Sequence, residues 1–332
     1  MFSVGRRNAI TDVDGIKVGS RADASIRSGV TVILPDRPCV AAADIRGGAP
    51  GTRETDLLDP ANSVETIDAL VFSGGTAFGL DAAAGAVSWL ARHGRGIEVR
   101  GVRVPIVPAA IIFDPPAGGR QDWHQAPPHR AMAEAACDAA GLEVEQGNVG
   151  AGMGATAGPL KGGLGTASLL RRDGIEVGAL AIANPFGSTV VPGSDTFWAA
   201  PLELSDELGG QSDIGRIAVD DLPYQVPGDA AGNTTLVVVA TNLPLTKVQA
   251  RRVAIMAQDG FARAIRPVHT PFDGDSVFVL ATGTHTSVTV DAPLLATVGM
   301  MAADVAARAI AKGVYHAESL GAFPSYREKY RR

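Results

Sequence analysis

GNTTLVVVATN, residues 232 to 242, reads as a buried β-strand behind a turn, because Leu236 to Ala240 form an unbroken apolar run rich in β-branched valine. Its entrance is unusual. Asn233 is followed by two threonines, Thr234 and Thr235, at the point where burial starts and an apolar residue would be expected. Two small hydroxyl residues there serve either as a turn cap or as a nucleophile. Downstream, SVFVLATG (276 to 283) has the same strand character. Between the two runs, Thr246 and Gln249 have the spacing of a capping box. Val253, Met256, Ala257, Gly260, Phe261 and Ala264 then follow one helical face until Pro267 stops the pattern. Another helix starts near Pro293, a good first-turn residue, and runs to about Gly313. The last hundred residues therefore read strand, helix, strand, helix, and the expected fold class is α/β (α+β).

Working outward, Val- and Ile-rich runs recur at GVTVILP (29 to 35), CVAAADI (39 to 45), DALVFSGG (68 to 75), RGIEVRGVRVPIV (95 to 107) and GIEVGALAIANP (174 to 185). Several are apolar on both faces, as expected of sheets covered on both sides. Two further helices are predicted at AFGLDAAAGAVSWLARHG (77 to 94) and HRAMAEAACDAAGL (129 to 142). No internal repeat and no long Ser- or Pro-rich linker divides the chain, so residues 1 to 332 read as a single domain. The one irregular insertion is DPPAGGRQDWHQAPPH (114 to 129), either a functional loop, with Trp123 lining a cleft, or a surface excursion. Pro127 and Pro128 keep His124 and His129 off a shared helical face, which argues against a metal pair.

Hydrophobic residues make up 46% of the 332 and charged residues 19%, the balance of a core-rich globular protein. The 40 glycines carry no Gly-X-Y period and point to tight turns and close backbone approaches. A formal net charge of −6 leaves no basic footprint for nucleic acid. The basic tail YREKYRR (326 to 332) reads as a solvated end. Cys39 and Cys137, too few for a disulfide scaffold and without zinc-type spacing, read as small buried apolar residues. MFSVGRRNAITDVDG has no apolar signal core, and PLLATVGMMAADVAARAIA (293 to 311) is interrupted by Asp304 and Arg308, as in a buried helix. A cytoplasmic protein that binds no membrane is expected.

Three glycine-rich or acidic segments carry the chemistry. GNVGAGMGATAG (147 to 158) invites a dinucleotide reading, but the following PLKGGLGTASLL is too glycine-rich for the required helix, and Lys161 is followed by glycine, unlike a phosphate-binding loop. Those glycines are better read as letting main chain approach a site into which Lys161 points. SGGTAFGL (73 to 80) is a strand-to-helix turn that could form an anion pocket or simply pack strand on helix. FDGDSVFVLATG (272 to 283) places Asp273 and Asp275 on one face if the strand already runs there. One of the two then has a raised pKa or a cationic neighbour; the alternative is an Asp-Gly turn leading into the strand.

A threonine hydroxyl is a weak nucleophile without an adjacent base, and one solution is a free amine on the same residue. An internal threonine gains that amine only by cleavage before it. The Thr234 hydroxyl would attack the Asn233 carbonyl, the amide would become an ester, and water would release it. These residues, together with NAITDVDGIKVG (8 to 19), DIRGGAPGTRETDLL (44 to 58), SGGTAFGLDAAAG (73 to 85), VPIVPAAIIFD (104 to 114), GAGMGATAG and KGGLGTAS (150 to 168), AIANPFG (181 to 187) and FDGD (272 to 275), resemble the self-processing aminopeptidases of the L-aminopeptidase/D-esterase type, with β-aminopeptidases and nylon-oligomer hydrolases as relatives.

The resemblance implies a four-layer α-β-β-α sandwich and cleavage between Asn233 and Thr234. The resulting 1 to 233 and 234 to 332 chains stay together, with the family habit being a tetramer of processed units. It makes Thr234 the nucleophile, Asn184 the oxyanion donor and Lys161 a site lysine. Asp273 and Asp275 match the acidic pair of the nylon-oligomer branch, where β-aminopeptidases have Ser-Gly-Glu. Phe113 stands where the β-aminopeptidases place a tyrosine, which leaves Asn184 and backbone amides as the oxyanion donors. The expected activity is hydrolysis of a small peptide or other amide through an acyl-enzyme, with no metal or organic cofactor. Its rivals are acyl transfer to an amine, self-cleavage without turnover, and a binding protein that never cuts itself.

Overall fold

The alternation along the central strands decides the architecture. In Leu236–Thr241, the residues Val237 and Val239 face one core while Leu236, Val238 and Ala240 face another. In Ser276–Ala281, Val277 and Val279 share the first core, and Phe278 and Leu280 the second. A strand buried on both faces needs a layer on each side. On one side lie two long helices, α3 (Lys247–Ala264) and α4 (Ala292–Tyr315). On the other lies a second sheet, whose far face is covered by α1 (Ala82–Arg92) and α2 (His129–Asp138). The computed structural model, which describes residues 1–120, 126–211, 214–215, 217 and 232–330, is thus a four-layer α-β-β-α sandwich.

The larger sheet has seven strands in the order Phe2–Ser3, Gly163–Arg171, Glu176–Ala183, Leu236–Thr241, Ser276–Ala281, Cys39–Ile45 and Thr66–Ile67. All its neighbours are antiparallel except Leu236–Thr241 with Ser276–Ala281, the pair joined through α3. The second sheet has five strands in the order Ile16–Asp23, Ser28–Pro35, Leu70–Ser73, Ala109–Ile111 and Thr52–Arg53. The Thr246–Gln249 capping box is formed at the start of α3, with Thr246 N–H on Gln249 Oε1 at 2.9 Å and Gln249 N–H on Thr246 Oγ1 at 3.2 Å. Asp291 caps α4 by accepting the Leu294 N–H at 2.9 Å. By length and composition α4 could cross a membrane, but 72% of its most apolar window is buried inside the protein.

Three expectations change. RGIEVRGVRVPIV does not join either large sheet. It forms an isolated hairpin, Ile97–Val99 with Val102–Val104, whose residues are exposed, because a two-stranded ribbon has no second layer to cover it. The tail is not simply solvated. Tyr326 is 0% exposed and packs its ring 4.4 Å from that of Phe197, so an aromatic anchor fixes the chain end before residues 331 and 332, which lie outside the described residues. In addition, GLGTASLLR, absent from the expected strand runs, forms the nine-residue strand Gly163–Arg171, where its glycines let α4 approach. Cys39 and Cys137 are free and buried as expected, and burial pushes both thiols up to about 12.

Candidate active site

Register brings the expected residues together. The parallel pairing Leu236↔Ser276 continues beyond the strands as a bridge between Asn233 and Asp273, so the entrance GNTT lies alongside DGD. On the other side, the antiparallel pairing Ile182↔Leu236 carries Asn184 opposite Thr234, whose N–H donates to Asn184 O at 2.8 Å. The site therefore occupies one end of the central strand pair, flanked by the end of Glu176–Ala183. Thr234 is only 3% exposed.

The hydroxyl of Thr234 lies on the carbonyl oxygen of Asn233, the group it would attack. That same carbonyl accepts the Gly274 N–H at 2.9 Å. The middle residue of DGD is thus a backbone donor already aimed at the oxygen on which negative charge would develop, the geometry of an oxyanion site. A Cβ on Gly274 would come within 2.6 Å of Thr234 Oγ1, so only glycine lets that amide stand so close to the hydroxyl. Nothing but the missing side chain marks this residue in the sequence. Phe272 O accepts the Asn233 N–H at 3.0 Å and completes the frame around the Asn233–Thr234 peptide.

Asn184 is fully buried. Its Oδ1 accepts the Thr156 N–H at 2.8 Å, and its Nδ2 donates to Phe113 O at 3.1 Å. It is therefore the Asn184 main chain that meets Thr234, while its side-chain amide is held in place just behind. Phe113 stands beside this group, its ring under Gly232, where a Cβ would approach to 2.5 Å.

Asp273 and Asp275 are each 1% exposed, although the strand begins only at Ser276. Neither alternative holds as stated: the turn is at Pro271 and Phe272, Asp273 is bridged to Asn233 ahead of the strand, and both carboxylates are buried at one place. Burial first, and then the charge of Asp275, push Asp273 up to about 6. Asp273 Oδ1 accepts the Phe186 N–H at 3.0 Å, and Asp275 Oδ1 accepts the Thr235 N–H at 2.8 Å. The acidic pair thus braces Thr235, next to Thr234, and Phe186, two residues beyond Asn184.

Lys161 stands one step back. It pairs with Thr156, which holds Asn184, in the short Thr156–Ala157 and Leu160–Lys161 ribbon. Its fully buried ammonium donates to Gly162 O at 2.8 Å and Gly152 O at 3.2 Å, so the glycine-rich segment serves as its cradle. Burial lowers Lys161 to about 7, opposed by the charge of Asp114. Asp114, itself raised to about 6 by burial, accepts the Ser28 hydroxyl at 2.6 Å and the Gly75 N–H at 2.8 Å. The amide exposed by the SGGTAFGL turn is therefore occupied by the protein's own carboxylate. Trp123 and His124 lie outside the described residues. Among the described residues no group of three or more His, Cys, Asp or Glu is arranged to hold a metal ion.

The model of peptidase family S58 matches residues 8–326. The chain belongs to peptidase family S58. An uncharacterized aminopeptidase of Mycobacterium tuberculosis is 45% identical over 342 residues, covering 97% of this chain and 98% of the relative. A 6-aminohexanoate-oligomer endohydrolase of Kocuria sp. is 29% identical over 303 residues, covering 84% of this chain and 76% of its own length. The fold is shared with a β-aminopeptidase of Burkholderia sp., at TM-score 0.72 and 24% identity over 100% of this chain and 94% of that one. It is shared equally with the L-aminopeptidase D-Ala-esterase/amidase of Ochrobactrum anthropi, described as a variant of the Ntn hydrolase fold, at TM-score 0.72 and 24% identity over 97% and 90%. As an S58 member the chain is a hydrolase of amide bonds.

Proposed function

We propose that this S58 hydrolase cuts itself between Asn233 and Thr234 and then uses Thr234 as an N-terminal nucleophile on a peptide or other linear amide. The observation that carries this reading is the Thr234 hydroxyl resting on the Asn233 carbonyl, whose oxygen also takes the Gly274 N–H at 2.9 Å. Attack of Oγ1 on the Asn233 carbonyl carbon forms a tetrahedral oxyanion held by Gly274. Breaking the C–N bond sends the proton to nitrogen and leaves an ester on Thr234 with a free amine, and water releases the ester as the Asn233 carboxylate. The chains 1–233 and 234–332 result.

The new amine then acts as the base. It takes the Thr234 hydroxyl proton as Oγ1 attacks the substrate carbonyl and gives it to the leaving amine; water, activated in the same way, resolves the acyl-enzyme. With the Asn233 carboxylate withdrawn, the substrate oxygen takes the place of the Asn233 oxygen beside Gly274, and the Asn184 amide supplies a second donor. Such a donor contributes typically about 2.7 to 4 kcal/mol to the transition state. Asp273 and Asp275 supply negative charge beside the ammonium that forms transiently, and Lys161 balances charge behind Asn184. The relatives' names, aminopeptidase and 6-aminohexanoate-oligomer endohydrolase, support a substrate that is a short peptide or linear oligoamide.

Intact mass under denaturing conditions tests the reading. The parent is expected as two chains, the smaller beginning Thr-Thr-Leu-Val, and Thr234→Ala as one uncut chain without amidase activity. A parent that stays uncut, or a Thr234→Ala variant that still turns over amides, sinks it.

A further inference from the structure

Two consecutive residues outside every motif read from the sequence each grip one of the aspartates. His269 directs both its main-chain N–H, at 3.1 Å, and its ring Nδ1, at 2.9 Å, to Asp275 Oδ2. Thr270 treats Asp273 in the same way, its N–H at 3.0 Å and its hydroxyl at 2.5 Å from Asp273 Oδ2. The opposite oxygen of each carboxylate faces the site: Asp275 Oδ1 takes the amide of Thr235, next to Thr234, and Asp273 Oδ1 takes that of Phe186, two residues from Asn184. Each aspartate is thus a strut with the dipeptide at one end and the site backbone at the other.

His269 is held at φ +52°, a region that non-glycine residues visit rarely and that histidine visits more than most. Strain of this kind persists only where the surroundings over-determine it. Here two donors of one residue converge on one oxygen, and the ring also packs 5.4 Å from that of Phe261 on α3. Two buried like charges repel, and hydrogen bonds to the charged forms offset that repulsion. In the tautomer that carries its hydrogen on Nδ1, the ring donates to Asp275 Oδ2 across 2.9 Å.

We propose that the His269–Thr270 dipeptide is a positioning clamp that holds the aspartate pair against the nucleophile end of the site, with His269 acting on turnover through Asp275 and without touching substrate. The proposal deepens the reading of Thr234 as the nucleophile and rests on it. Three variants separate a clamp from a merely structural residue. His269→Ala removes the ring donor. His269→Asn puts an amide N–H where Nδ1 stands and tolerates the left-handed backbone, whereas His269→Gln carries its donor one bond too far.

Amide hydrogen exchange at Thr235 reads the strut without reference to catalysis, while kcat, KM and intact mass read its effect. His269→Ala is expected to speed Thr235 exchange about tenfold or more and to lower kcat on the order of 10²-fold with KM nearly unchanged, as for a misplaced catalytic group. His269→Asn is expected to restore both and His269→Gln neither. If His269→Ala does not fold, Thr270→Val against Thr270→Ser makes the same comparison, read at the Phe186 amide. Unchanged Thr235 exchange in His269→Ala overturns the clamp, as does faster exchange with kcat intact or a loss confined to KM. Failure of the underlying reading shows separately, as a parent that remains one chain or a Thr234→Ala variant that keeps its activity, and it removes the inference as well.

Discussion

Gly274 has no side chain at the one place where a methyl group would lie 2.6 Å from Thr234 Oγ1 and 2.9 Å from Ala49 O. Gly274→Ala is therefore expected to fold but to displace the hydroxyl from its carbonyl, slowing self-cleavage on the order of 10²-fold. The fraction of uncut chain against time after expression measures it. At the same scale, Asp273 titrates near 6 in the folded protein, against an ordinary value of 3.8. If its charge is needed, turnover falls as pH drops through about 6, and Asp273→Asn loses that limb of the pH–rate profile. The sign for stability is the reverse. The folded protein holds this proton more tightly than the unfolded chain does, so the contribution is fully present below 3.8 and is lost as pH rises through about 6. Melting temperatures of parent and Asp273→Asn at pH 4 and pH 7.5 should differ most at the higher pH in the direction that favours the variant.

Among the elements, the seat of α4 on the large sheet depends on glycines. A Cβ on Gly165 would meet Ala309 O at 2.1 Å and Gly313 N at 2.2 Å, main-chain atoms of a helix that cannot yield locally. Gly165→Ala is expected to cost about 3 kcal/mol by overpacking, read as a lower urea midpoint at unchanged slope. α3 carries a different device. Lys247, at its first position, sends its ammonium into the segment that follows Thr52–Arg53, donating to the carbonyls of Leu57, Asp59, Asn62 and Val64 at 2.8 to 3.1 Å. The capping box that starts this helix is legible in Thr246 and Gln249, because both partners are three residues apart. The four-carbonyl seat of Lys247 is not, because its acceptors lie more than 180 residues away along the chain.

For the whole molecule, the proposed cut has a mechanical consequence. Both strands of the 234–332 chain lie inside the seven-stranded sheet, with Glu176–Ala183 on one side and Cys39–Ile45 on the other, and α3 and α4 lie across them. The two products are interleaved by sheet hydrogen bonds and by a shared core, so cleavage of one peptide leaves the fold intact. The processed protein is expected to run as two bands after denaturation but as one species in native mass spectrometry or size exclusion. The halves should separate only where the whole domain unfolds. Dissociation under native conditions would contradict this layering.

What the sequence determined by itself was local: apolar runs that alternate into two cores, helix caps spelled out within one turn, and a hydroxyl pair at the mouth of a strand. Hydrophobic period and capping chemistry act over a few residues, so they survive in a one-dimensional reading. The same reading placed RGIEVRGVRVPIV among the strands but could not tell a sheet strand from a bare hairpin, because a run of Val and Ile does not reveal whether a second layer covers it. It took YREKYRR for a solvated end, although Tyr326 is an aromatic anchor whose partners Phe197 and Tyr315 are remote in sequence or on another element. Asn184, Thr234, Asp273 and Asp275 meet through strand register, Gly274 becomes a donor only when GNTT and DGD lie side by side, and His269 reaches Asp275 from a left-handed backbone position that no motif marks. These are long-range pairings, and only the folded chain decides them, since they follow from which layers stack and not from any residue's own preference.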